Sequence, residues 1–122
     1  MSRPQSKFSI LLIEQDATVR HLRSLALRLE GYRVDGAEHL HEARKKLEEK
    51  QFNLIILDVG HFAEQGLAFC EEVKVSHPEV KLLMQGEDRV FPIKSSCPDV
   101  SIPKQDGPLR LVKEVQRLLQ SA

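Results

Sequence analysis

Three short apolar runs constrain this chain most: Phe8–Ile13, Asn53–Val59 and Val80–Met84. Each is rich in Ile, Leu or Val and shows little alternation, the pattern of a strand covered on both faces. Two of them stop at acids. "ILLI" runs into Glu14, Gln15 and Asp16, and "LIIL" runs into Asp58.

The segments between the runs have helical spacing. Ala17–Glu30 places Val19, Leu22, Ala26 and Leu29 on one stripe with Leu25 beside it, so this stripe is expected to face the core. Asp16 is placed to cap the helix and Gly31 to end it. Tyr32–Ala37 reads as a second strand. Leu40, Ala43 and Leu47 mark a second helix backed by the solvated charge run "EARKKLEEK". Leu67, Cys70 and Val73 mark a third helix that stops at "SHP". Val100–Ile102 is a short fifth strand. Leu109, Val112, Val115 and Leu119 define a final helix with Pro108 near its first turn. The stretch "GEDRVFPIKSSCPDV" holds Pro92 and Pro98 and little helical period, so a fourth helix there is expected to be short or irregular. Strict alternation of strand and helix predicts an α/β fold, a doubly wound parallel sheet with right-handed crossovers. Sites in such sheets form at the carboxyl ends of the strands. Glu14, Gln15, Asp16 and Asp58 all fall there.

The chain's 122 residues fit one domain, residues 8–122, behind a polar lead-in of residues 1–7. Hydrophobic residues at 41% and charged residues at 30% describe an ordinary globule rather than a disordered chain. With 18 Lys and Arg against 18 Asp and Glu, no global field attracts nucleic acid or a membrane surface. The apolar runs are too short to span a bilayer, and Glu14 interrupts the run that would serve a signal peptide, so a cytoplasmic location is expected. Cys70 and Cys97 stand far apart without a CxxC, which argues against a disulfide scaffold or zinc site; Cys70 reads as core and Cys97 as a loop thiol. The five histidines share no spacing, and His61, near Asp58, reads as a solvated loop residue. There is no phosphate-cradling Gly loop, nucleophile elbow or basic stripe.

With these residues in place, the chain resembles the receiver domains of bacterial two-component response regulators from about Phe8 to Leu119. The resemblance implies a flavodoxin-like fold with strand order 2-1-3-4-5. It implies a phosphoacceptor at Asp58 in "LIILDVG", with the family's acid pair falling on Glu14 and Gln15 and Asp16 following. Gly66 in "QGLAFC" matches a family glycine that opens the third helix, and Lys104 in "SIPKQDGP" matches the lysine after strand five. Gln85 stands where the family has Thr or Ser. Ser101 stands where an aromatic switch residue is common, Phe62 where a proline follows the acceptor, and Gln105 where a proline follows the lysine.

Phosphoryl transfer to a carboxylate needs a nucleophile, a cation for the phosphoryl oxygens and a further positive group. The resemblance assigns these to Asp58, Mg2+ and Lys104. Glu14 and Asp58 would give the metal one carboxylate each, and Gly60 its carbonyl. Gln15 offers only a neutral amide oxygen, which weakens the site or abolishes it. Asp16 is nearby but better placed as a helix cap. Gln85 is large enough to crowd the phosphoryl position and to hold Asp58 through its amide.

The expected activity is phosphoacceptance on Asp58 from a histidine kinase or phosphotransfer protein, with output through protein contacts. A homodimer or downstream protein would use the face of helix 4, strand 5 and the last helix. No nucleic-acid contact or membrane contact is expected of this domain; no output domain follows the last helix, so the chain is expected either to act by protein contact alone or to be one piece of a longer protein. The alternative is a phosphorylation-independent pseudo-receiver that binds partners. A flavin-binding role finds no phosphate loop in "EQDATVR".

Overall fold

The structure is a computed structural model that describes residues 8–60, 63–87 and 95–120. The lead-in 1–7, His61, Phe62 and most of the segment expected to form an irregular fourth helix lie outside the described residues. In chain order the elements are β1 (Ser9–Ile13), α1 (Ala17–Leu29), β2 (Arg33–Ala37), α2 (Leu40–Glu49), β3 (Leu54–Asp58), α3 (Ala63–Ser76), β4 (Lys81–Gly86), β5 (Val100–Pro103), a one-turn 3₁₀ helix (Lys104–Asp106) and α4 (Gly107–Gln120). Among the described residues the sheet has five parallel strands in the order β2-β1-β3-β4-β5, the flavodoxin-like order expected.

Alternation along the strands divides the core into two layers. Leu11, Ile13, Ile55, Leu57, Leu82 and Met84 pack with α2 and α3 through Ala43, Leu47, Phe69, Cys70 and Val73. Ile10, Leu12, Leu54, Ile56, Leu83 and Ile102 pack with α1 and α4 through Leu27, Leu111, Val115, Leu118 and Leu119. Both faces of the central strands are therefore covered, which is why their sequences are continuous apolar runs.

The expected inner stripe of α1 is corrected. Leu22, Leu25 and Leu29 are 59%, 48% and 69% exposed, and Ser24 and Leu27 are the buried residues of the helix. The period of three to four fits both stripes, so it cannot say which one meets the sheet. The choice is made by the two arginines on the inner side. Arg20 donates from Nη1 to the Glu14 carbonyl at 2.6 Å, and its stem crosses Gly36, where a Cβ would meet Arg20 Cδ at 3.1 Å. Arg23 reaches the acids at the strand ends. The caps are as expected: Asp16 Oδ1 accepts from the Val19 amide at 3.0 Å, and Gly31, at φ 96°, carries the chain out of the helix.

The two cysteines, far apart in sequence, meet in the fold. They are free thiols, and the Cys97 thiol donates to the Cys70 sulfur at 2.6 Å. The fold brings α3 beside the chain entering β5. Lys74 Nζ pairs with Asp99 Oδ2 at 2.5 Å, and the same oxygen accepts from the Leu82 amide at 2.7 Å. Sequence separation carries no trace of that tertiary seam.

Candidate functional site

Strands β1, β3 and β5 end at one edge of the sheet and deliver Glu14, Asp58 and Lys104 to one point. The parallel register pairs Ile13 with Leu57 and Asp58 with Gln85. The Glu14 amide continues the ladder to the Ala37 carbonyl at 2.9 Å, and the Val59 amide continues it to the Gln85 carbonyl at 2.8 Å. These bonds hold the acids on regular backbone. Gly60 then turns the chain at φ 56°, so its amide donates to Asp58 Oδ1 at 2.9 Å. Gly66, in the first turn of α3, lies so close to β3 that a Cβ would stand 2.2 Å from Val59 Cγ1. Only glycine lets the helix start there.

The side chains of Glu14 and Asp58 are almost wholly buried, and each meets two cations. Asp58 Oδ2 lies 3.2 Å from Lys104 Nζ and 2.9 Å from Arg23 Nη1. Glu14 Oε1 lies 3.6 Å from Lys104 Nζ and accepts from the Asp16 amide at 3.1 Å, and Glu14 Oε2 lies 3.2 Å from Arg23 Nη1. Arg23 is the residue of this site that sequence reasoning missed. Its signal was the Arg20–Arg23 pair on the stripe opposite the leucines, one helix turn or two beyond the acids.

Burial acts on both carboxyls and their neighbours divide them. Burial pushes Asp58 up, but Glu14, Arg23, the Gly60 amide and Lys104 outweigh it and hold Asp58 below the ordinary carboxylate range. Burial, followed by the hydrogen bond and charge of Asp58, pushes Glu14 above its ordinary value, against the Asp16 amide and Lys104. Asp58 is thus the more acidic of the two carboxyls.

The other expected residues take varied places. Gln15, Asp16, His39 and Gly60 line a cleft of about 770 Å³ with Asp58 and Lys104. Gln15 is exposed, and Asp16 is used as the α1 cap. The Gly60 carbonyl accepts from the Glu87 amide at 3.2 Å. Gln85 is 2% exposed, and its Oε1 finds no donor among the described residues. The bonds that hold Asp58 come from Arg23, Lys104 and Gly60 rather than from Gln85. Ser101 pairs with Met84 across the sheet, and Gln105 lies in the 3₁₀ turn.

A parallel flavodoxin-like sheet with buried acids and a lysine at its carboxyl edge defines the architecture of a signalling receiver. Residues 10–94 match the response regulator receiver domain, and the chain belongs to that family, the receivers of two-component signalling. It is 32% identical over 117 residues to the transcriptional regulatory protein ResD of Bacillus subtilis (strain 168), covering 93% of this chain and 48% of that protein. The chain spans about half the length of the curated relatives it matches. Among solved structures it is similar to the response regulator TrrA of Thermotoga maritima in complex with Mg(2+)-BeF, with 26% identity, a TM-score of 0.80, and 91% and 98% of the two chains covered. A receiver domain protein of Methanospirillum hungatei JF-1 shares the fold at 24% identity with a TM-score of 0.81, covering 95% and 96%. No helix among the described residues is long and apolar enough to cross a membrane.

Receiver domains typically bind Mg2+. The arrangement here does not fit a divalent ion between Glu14 and Asp58. Arg23 Nη1 lies within 3.2 Å of both carboxylates, Lys104 covers a second side, and Gln15 brings no charge. Among the described residues no three His, Cys, Asp or Glu side chains converge as a ligand set.

Proposed function

We propose that this receiver accepts a phosphoryl group on Asp58 from a histidine kinase or phosphotransfer protein in the cytoplasm. The observation that carries the reading is the Asp58–Lys104 pair: a carboxylate held below its ordinary range, in the lining of a cleft, with an ammonium 3.2 Å away. An Asp58 oxygen attacks phosphorus, and the bond from phosphorus to the donor's histidine nitrogen breaks. The electron pair stays on that nitrogen, and a proton on the ring's other nitrogen lets the imidazole leave neutral. Lys104 neutralises charge on the phosphoryl oxygens as the group passes. Output runs through protein contacts, with a downstream protein or second copy on the face of β5, α4 and the segment between β4 and β5. Residues 8–122 form the receiver unit behind the lead-in.

Acetyl phosphate is the simplest test, because the carboxylate displaces acetate and the product is an acyl phosphate. Intact-protein mass spectrometry is expected to show one added phosphoryl group in the wild type and none in Asp58→Asn. An unchanged mass in the wild type, with small donors and kinases alike, would leave a protein-binding module.

A further inference from the structure

We infer that Arg23 is a built-in counter-cation that does at this site what a divalent metal does in other receivers, and that it keeps such an ion out. The inference rests on the reading of Asp58 as phosphoacceptor only where phosphorylation is concerned; the exclusion of metal stands on the geometry alone.

One guanidinium nitrogen bridges the two buried acids, 2.9 Å from Asp58 Oδ2 and 3.2 Å from Glu14 Oε2. The Arg23 side chain is only 10% exposed, so it is part of the floor rather than a passing surface contact. Guanidinium stays charged in any protein setting and suits buried carboxylates better than ammonium does. α1 holds the stem in place, because Asp16 caps the helix start and Leu27 anchors its inner face in the core.

The charge count points the same way. A receiver with its full acid pair, an acceptor Asp and a lysine carries two uncompensated negative charges, which one divalent ion cancels. Here Gln15 removes one negative charge and Arg23 adds one positive. Glu14 and Asp58 face Arg23 and Lys104, and the four charges sum to zero without an ion. A divalent cation entering this site would meet two fixed cations and would have to displace one of them. Once Asp58 is phosphorylated, the Arg23 N–H groups are within reach of phosphoryl oxygens and bond them as arginine commonly does.

Two measurements decide this. In the first, Mg2+ is titrated against the backbone amides of Asp58, Val59 and Gly60 by NMR in the wild type, Arg23→Gln and Arg23→Lys. The wild type and Arg23→Lys are expected to show no saturable shift at millimolar Mg2+, and Arg23→Gln is expected to gain one. Saturable binding in the wild type at millimolar Mg2+ would overturn the inference, and the wild-type titration decides it even if Arg23→Gln fails to fold. In the second, acetyl phosphate is added with EDTA present. The wild type is expected to gain a phosphoryl group, and Arg23→Gln to lose that metal-independent rate by about 10²-fold, in line with removal of a group that stabilises transition-state charge, and to recover with Mg2+. Phosphorylation of the wild type that requires Mg2+ sinks the inference and leaves Asp58 as acceptor. No phosphorylation with or without Mg2+ sinks the acceptor reading, and the Mg2+ titration still decides the role of Arg23.

Discussion

Leu27 and Leu29 stand two residues apart on α1 and meet opposite environments, the first fully buried in the layer beneath α1 and α4, the second 69% exposed. Leu27→Ala should remove a packed side chain and cost about 2–5 kcal/mol of stability. Leu29→Ala should change stability by less than about 0.5 kcal/mol, as surface changes do. Urea midpoints of the two variants measure the difference directly. A larger loss in Leu29→Ala than in Leu27→Ala would mean that the leucine stripe, not Leu27, faces the sheet.

Gly66 in α3 and Val59, the residue after β3, stand too close for a Cβ between them. A Cβ at residue 66 would need the β-branched Val59 to move, because 2.2 Å is far inside van der Waals contact. Gly66→Ala is expected to cost about 1–3 kcal/mol by overpacking. Adding Val59→Ala should recover part of that loss, so the double variant is less destabilised than the sum of the two. Strict additivity would show that the two positions do not touch.

Cys70 and Cys97 should behave as a linked pair. Burial, followed by the neighbouring Cys97 sulfur, pushes the Cys70 thiol well above its ordinary value, so Cys70 is a poor nucleophile and the half-exposed Cys97 reacts first. Diamide removes one hydrogen from each thiol and is itself reduced to the hydrazine. It is expected to join the two sulfurs within one chain, with the loss of two titratable thiols and a single linked peptide in the digest. Cys97→Ser should abolish that product. The raised Cys70 value also sets a pH dependence. Its stabilising contribution is complete below about pH 9, the ordinary thiol range, and is lost as pH rises through its folded value. Wild-type stability should therefore fall more steeply above pH 9 than that of Cys70→Ala. Two free thiols after diamide, or identical alkaline profiles, would contradict the contact.

What was legible in the sequence was whatever the chain records locally. Continuous apolar runs gave the covered strands, Asp16 and Gly31 marked the ends of α1, and the acids after β1 and β3 marked the working edge of the sheet. Lys104 was legible because it follows a strand and precedes a helix. What stayed hidden was set by tertiary choice. Two stripes of α1 have the same period, and only the acceptors at the strand ends select the one bearing Arg20 and Arg23. Gln85 was given the task of holding Asp58, yet the donors come from Arg23 on α1, the Gly60 amide and Lys104 in the 3₁₀ turn. The cysteine contact depends on how α3 lies against the entry to β5, and no spacing rule encodes it.

The last prediction follows from the place of Gln85. It pairs with Asp58 across β3 and β4, is buried, and leaves Oε1 without a donor among the described residues. Since Gln85 is not what holds Asp58, shortening it should not release the acid; the effect should come through the phosphoryl group. Gln85→Thr removes bulk beside the acceptor and supplies a hydroxyl that can donate to a phosphoryl oxygen. One such bond, at about 1–1.5 kcal/mol, corresponds to roughly a tenfold gain in rate if it forms in the transition state. Gln85→Ala removes the same bulk without the hydroxyl and should gain less. The check is the initial rate of phosphoprotein formation from acetyl phosphate for the three proteins. Equal gains in both variants would assign the effect to space alone. No gain in either would show that Gln85 does not crowd the phosphoryl position.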